Sequence, residues 1–197
     1  MVAYTGTSGS FKDKPHSLGV VPEMMIVKAR TGTTNWYVYH KDIGNTDHLV
    51  LNTSEAKATA SWTWENTTPT ESTFHLSSDS TVNGFGSNYI AYLFASLDGV
   101  SKVGSYTGTN VAQNIDCGFS SGARFVLIKR ATSAGDWVTL DTERGIVAGN
   151  DPYLELSTKD AENSGDDVID PYSSGFTVTS DNLLNLSGET YIFYAIA

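Results

Sequence analysis

The chain has 197 residues, 40% hydrophobic and only 17% charged, with a net charge of −10. Six basic residues stand against nine acidic ones up to residue 101 and six against thirteen beyond it, so the second half carries −7 of that charge. This balance excludes a nucleic-acid surface, which needs clustered Lys and Arg. The lack of any 18-residue apolar run, or of a basic N-terminal region followed by an apolar one, excludes a membrane-spanning helix and a secretory signal. Cys117 is the only cysteine, so packing rather than an internal disulfide must hold the chain.

Along the chain, strands are predicted near 24–29, 35–40, 48–52, 72–76 and 88–95, and again near 124–130, 136–140, 153–156, 175–179 and 190–196. Clusters of Gly, Pro, Asn, Asp and Ser separate them. Residues 53–58 and 157–162 each predict a single helical turn opened by a Ser or Thr cap. The stretch 97–105 reads as a short linker.

The two sets of strands share landmarks. Lys28 and Lys129 each close an apolar run, and Trp36/Trp137 and Gly44/Gly145 repeat that offset of 101. Phe74/Phe176 and the segments 89–95 and 191–197 match at an offset of 102, as do Tyr4-Thr5-Gly6-Thr7 and Tyr106-Thr107-Gly108-Thr109. The pattern predicts a duplicated unit of roughly 95 residues. The expected fold class is therefore all-β, as two tandem homologous antiparallel β-sandwich, jelly-roll-like repeats over 1–101 and 102–197. The last strand of each repeat is apolar on both faces, with Tyr89, Ala91 and Leu93 on one side and Ile90, Tyr92 and Phe94 on the other. Such a strand predicts cover on its second face from the other repeat, from a neighbouring subunit or from its own loops.

Several short motifs occur in a fixed order. In the first half these are Gly19-Val-Val-Pro22-Glu-Met-Met-Ile-Val-Lys28-Ala-Arg30, Asn35-Trp36, Trp64-Glu-Asn66-Thr-Thr-Pro69 before Phe74, and Asn88-Tyr89-Ile90-Ala91-Tyr92. In the second they are Gly118-Phe119, Phe125-Val-Leu-Ile-Lys129-Arg130, Gly135-Asp136-Trp137, Asp141-Thr-Glu-Arg144-Gly145, Asp160-Ala161-Glu162, Gly175-Phe176 and Gly188-Glu189-Thr190-Tyr191. Together they resemble a duplicated β-rich domain of tail fibre and other virion proteins in tailed bacteriophages of the marine and cyanobacterial type. Ala123 departs from the pattern, standing where the first repeat has Pro22. The resemblance implies a virion surface role, reached after assembly in the host cytoplasm, and carries no set of catalytic residues.

Enzyme motifs fail on context. Gly118-Phe-Ser120-Ser-Gly122 fits G-x-S-x-G, but that elbow needs a strand running into a helix, and a strand follows here. His16, His40, His48 and His75 lack metal-ligand spacing and read as loop or strand-edge residues. The stretch 160–167 alternates oxygen-bearing side chains with a Gly at its sixth place, but Pro171 occupies the position of the bidentate Glu in a calcium loop. Asp160, Glu162, Asp166 and Asp167 remain candidates for an irregular calcium site, with a solvated acidic loop as the simpler reading. No cofactor is expected.

Aromatic residues are the binding candidates, because sugar C–H faces stack on rings while polar neighbours fix orientation. Trp62 and Trp64 lie two apart and share a face if the chain is extended, and the second repeat has no aromatic partner for them. Trp64 belongs to the family-like pattern and reads as packed, which leaves Trp62 the freer ring. Tyr39 and His40 stand where the second repeat has Leu140 and Asp141, a further asymmetry. Trp36 and Trp137 recur in both repeats and read as structural.

Two functions fit. The first is a tail fibre receptor-binding module that recognises a bacterial surface polysaccharide, assembled with copies of itself as a homotrimer and with other virion proteins. The second is a capsid decoration or head-fibre protein that binds other virion subunits. A start at Met1 without a coiled-coil shaft leans toward the second; Trp62, Trp64 and the polar loops lean toward the first, which is the expectation carried forward.

Overall fold

A computed structural model describes residues 1–9 and 12–197. These divide into two compact units, Met1–Leu51 with Lys57–Ala95, and Ser96–Ala197 with Asn52–Ala56.

Unit one runs β1 (Val2–Thr5), β2 (Asp13–Pro15), β3 (Met24–Ala29), β4 (Tyr37–His40), β5 (Asp47–Val50), β6 (Ala58–Thr59), α1 (Ser61–Trp64), β7 (Thr73–His75), α2 (Ser80–Asn83) and β8 (Asn88–Phe94). Its larger sheet has the order β1-β8-β3-β4-β5-β6, and β2 pairs with β7 in a smaller one. Because strand side chains alternate, Met25, Val27 and Ala29 share a face with Tyr37, Tyr39, Tyr89, Ala91 and Leu93. That face meets Phe74 of the small sheet together with Trp64, Leu76 and Val82, which makes the unit a sandwich. Met24, Ile26, Val38 and Leu49 are also buried, so β3 and its neighbours are covered on both faces, as their continuous apolar runs require.

Unit two runs β9 (Ser101–Thr107), β10 (Gln113–Asp116), β11 (Phe125–Arg130), β12 (Trp137–Asp141), β13 (Leu154–Glu155), β14 (Ile169–Tyr172), β15 (Gly175–Val178), α3 (Asn182–Asn185) and β16 (Thr190–Ile196). A five-stranded sheet, β13-β12-β11-β16-β9, faces a three-stranded one, β10-β15-β14. Val126, Ile128, Val138, Leu140 and Phe193 from the first pack against Ile115, Ile169, Phe176 and Val178 from the second.

Each predicted strand is present, with bounds shifted by a residue or two. Six short or polar strands escaped the pattern: β1, β2, β6, β9, β10 and β14. The expected linker is the clearest correction. Residues 101–107 form β9, which pairs with β16 from Ser101↔Ile196 to Thr107↔Thr190, so a boundary after residue 101 would cut a strand. Ser101, Lys102, Gly104 and Ser105 mask the strand signal; Gly104 is needed because a Cβ there would lie 2.7 Å from the Phe193 ring. The helical turns expected at 53–58 and 157–162 do not form. Helix appears instead as four-residue turns, of which α2 and α3 are capped by Asp79 and Asp181 accepting from the Thr81 and Leu183 N–H groups at 2.8 and 2.7 Å.

Residues 102 apart make the same contacts in the two units. The Tyr4 hydroxyl donates to Val82 O and that of Tyr106 to Leu184 O, each at 2.6 Å. Tyr4 stacks on Tyr89 at 5.2 Å and Tyr106 on Tyr191 at 5.1 Å. Asn83 Oδ1 accepts from Thr7 N–H at 3.0 Å and its amide donates to Ser77 O at 2.9 Å. Asn185 Oδ1 likewise accepts from Thr109 N–H at 2.8 Å, and its amide donates to Thr179 O at 2.5 Å. Each Asn is fully buried and satisfied, which latches the first strand of its unit to the turn before the last. Gly6 and Gly108 allow that approach, since a Cβ on either would lie 2.1 Å from the carbonyl oxygen of Gly84 or Leu186.

Candidate functional site

In unit one β4, β5 and α1 bring Tyr37, His48 and Trp62 together. The Trp62 ring is edge-on to Tyr37 at 5.7 Å and tilted over His48 at 4.9 Å, and the residue is 41% exposed. Trp64, two residues on, is 0% exposed; its Nε1–H donates to Asp47 O at 3.1 Å and its ring packs edge-on to Tyr39 at 5.9 Å. The pair therefore does not share a face. A helical turn rotates successive side chains by about 100° rather than 180°, which sends Trp64 into the core and Trp62 outward. Glu65, in the left-handed region at φ 50°, ends the turn.

The neighbours of Trp62 are fixed. His48 is buried, its Nδ1 lies 3.1 Å from Thr63 Oγ1, and burial holds its pKa below the usual histidine value against the pull of Asp47. Burial works to raise the Asp47 pKa, but Lys57 and the Thr59 hydroxyl, 2.7 Å away, outweigh it and hold the carboxyl below its ordinary range. Chemically, the cluster presents one open indole on a rigid aromatic base, an arrangement suited to stacking against apolar C–H faces.

A family model for a domain of unknown function, DUF7483, matches residues 1–197. The chain belongs to the DUF7483 family. No curated protein matches it, and no solved structure does.

In this DUF7483 chain the other expected site residues lie apart from Trp62's open face. Tyr39 and His40 are buried in β4, so neither ring can meet a ligand as placed, and His40 and His48 sit inside the sheet rather than at the expected loops or edges. His75 lies in β7 between Asp13 at 2.7 Å and Glu65 at 2.9 Å, and Lys12 pairs with the same Glu65. His16 Nε2 faces Thr70 O at 3.1 Å. Ser120 is exposed in a loop that enters β11, without the helix of a nucleophile elbow. Cys117 is buried, which pushes its thiol up to about 12.

The calcium candidates do not converge. Glu162 accepts from Arg144 Nε at 3.0 Å; Asp166 accepts from the Tyr153 hydroxyl and the Asn163 amide, each at 2.9 Å; Asp160 and Asp167 are exposed. Among the described residues no group of three or more His, Cys, Asp or Glu stands at metal-binding spacing. The carboxylate that organises this region is Asp151, fully buried and accepting from the N–H groups of Val147, Val168 and Ile169 at 3.0–3.2 Å. Burial nevertheless raises its pKa. Among the described residues no helix is long and apolar enough to cross a membrane.

Sequence reasoning missed Phe85. It is 83% exposed on a turn between Gly84 and Gly86, with its N–H bound to Ser8 Oγ at 2.7 Å. The matching position in unit two is Ser187. An aromatic residue between two glycines, with no counterpart in the other unit, was the available signal.

Proposed function

We propose that the chain is a non-enzymatic surface module of a tailed-bacteriophage virion, serving in a tail fibre to recognise a bacterial surface glycan. The ordered motifs resembling virion proteins support the setting. The exposed Trp62 indole carries the recognition reading, because a large ring left open to water on a rigid base is what sugar stacking requires, and unit two has no aromatic residue in its place. On this reading the partners are copies of the chain in a homotrimer, other virion proteins and the host polysaccharide, and no cofactor, nucleic acid or membrane takes part. Trimerisation would turn a weak site into firm attachment.

The test is adsorption of purified protein to host and non-host cells. Trp62→Ala should weaken adsorption at an isolated site about tenfold, the loss typical of one stacking aromatic, and a multivalent trimer by more. Equal adsorption of both proteins would discard the site. Failure to bind any cell, with binding to isolated capsids, would transfer the assignment to the decoration protein. Light scattering that found a stable monomer at micromolar concentration would remove the trimer.

A further inference from the structure

Unit two holds a cavity of about 270 Å³ where three loops meet: the entry to β11, the β12–β13 connection and the β14–β15 hairpin. Ala123, Ile146 and Pro171 are its apolar lining residues, Tyr172 its aromatic one, and Ser121, Thr142 and Ser173 its hydroxyl-bearing ones. Among the described residues no charged side chain lines it. Ser121, Thr142 and Ser173 are exposed and Tyr172 half-exposed, and their hydroxyls, with no hydrogen bond to any described residue, are open to solvent, although the backbone around them is firmly tied. Gly122 N–H donates to Ser173 O at 2.7 Å, Ala123 N–H to Gly175 O at 2.8 Å, and Thr142 N–H to Arg124 O at 3.0 Å.

We infer that this cavity is a second binding site, for a single neutral sugar ring. Four solvent-facing hydroxyl residues about an uncharged space match a ligand that is itself a ring of hydroxyls, and the apolar residues with Tyr172 match its C–H face. Charged metabolites find no counter-charge here, and purely apolar ligands would leave the hydroxyls desolvated without partners. Size sets the limit: pockets for drug-sized ligands span about 300–1,000 Å³, so this one takes one ring and exposes the rest of any longer chain. The matched positions in unit one carry Val20 for Ser121, Pro22 for Ala123 and Lys41 for Thr142, so the site belongs to unit two alone. The inference rests on these residues and is independent of host attachment and of Trp62.

Amide NMR titration of the whole chain with glucose, galactose, mannose and N-acetylglucosamine tests it. At least one sugar should shift the amides of Gly122, Ala123, Thr142 and Ser173 with a dissociation constant on the order of millimolar, the range open to so small a ligand. Thr142→Trp fills the cavity from an exposed position and should weaken that binding at least tenfold, with unit-one amides unmoved as the control for folding; Tyr172→Ala should do the same by removing the wall. Trp62→Ala should leave these shifts unchanged. No shift at the cavity amides with any of the four sugars at about 50 mM, well above the expected constant, would overturn the site, as would shifts that persist in Thr142→Trp.

Discussion

The two units agree where a strand begins and disagree where a loop ends. The tyrosine pairs Tyr4/Tyr89 and Tyr106/Tyr191, and the buried Asn83 and Asn185, keep the same contacts within a few tenths of an ångström. Between the strand facing β4 or β12 and the small sheet, the units part. Unit one makes the turn α1 there and fills its core with Trp64, whereas unit two makes the additional strand β14 and holds it with Asp151. The shared contacts are hydrogen-bonded frame, while the difference runs from the buried Trp64 and Asp151 out to the surface, as Trp62 in one unit and as an open cavity in the other. A common frame with divergent loops is the arrangement in which binding specificity changes without loss of stability.

The sharpest challenge to this division is within α1. Trp64→Ala should cost about 3–5 kcal/mol in chemical denaturation, since the indole is enclosed and its N–H is committed, while Trp62→Ala should stay within about 1 kcal/mol. Comparable losses from both would mean that Trp62 is part of the frame rather than a binding surface.

The latches should be interchangeable. Asn83→Ala and Asn185→Ala each leave backbone groups unpaired in the interior and should each cost about 2–3 kcal/mol, read by amide exchange in the unit that carries the change. A loss in one unit only would break the comparison at its strongest point.

The paired lysines should diverge with pH. Lys28 is half-buried, donating to Ala29 O at 2.8 Å with its ammonium 6.0 Å from the Trp36 ring, whereas Lys129 is 0% exposed and donates to Gly135 O at 2.6 Å and Ser54 O at 3.2 Å. Burial pulls the Lys129 pKa down from 10.5 to about 8, with Asp136 opposing. Below about 8 both folded and unfolded chains carry the proton, and the cost of burying the charge is present in full. Between about 8 and 10 the unfolded chain binds more protons, so stability should rise with pH, by on the order of 2 kcal/mol. Lys129→Met should abolish that rise and Lys28→Met should not. The half-buried Tyr4 and the buried Tyr106, with pKa values raised by burial, oppose it only above their ordinary value of 10.0.

The smallest effects come from the tyrosine hydroxyls. Tyr4→Phe and Tyr106→Phe each remove one hydrogen bond to a carbonyl and should cost about 1 kcal/mol apiece, equal within error. A clear inequality would show that the stacked pairs carry different loads in the two units.

Ten of the strands and the matched landmarks were legible in the amino-acid sequence, because alternation and apolar runs act through neighbours on the same strand. The cover expected on both faces of β8 is one-sided: Tyr89, Ala91 and Leu93 are buried, while Ile90, Tyr92 and Phe94 are half-buried. Lys28 and Lys129 do occupy corresponding places, each in a strand opposite an isoleucine of the last strand, Ile90 or Ile192. β9 was not legible, since its polar residues form a strand only when β16 offers a full row of partners. Nor was α1: Trp62-Thr63-Trp64 alternates like a strand, and the left-handed Glu65 with the pocket that receives Trp64 makes it a turn. The same reason removes Tyr39 and His40 from the surface and disperses the acidic residues of 160–167 among separate partners. Local pattern thus determined which segments pair and which side chains face inward. The sequence pattern already marked Trp64 as packed and Trp62 as the freer ring. Only the tertiary structure decided that the two leave a helical turn rather than one face of a strand, because that depends on the space left between sheets and not on the spacing along the chain.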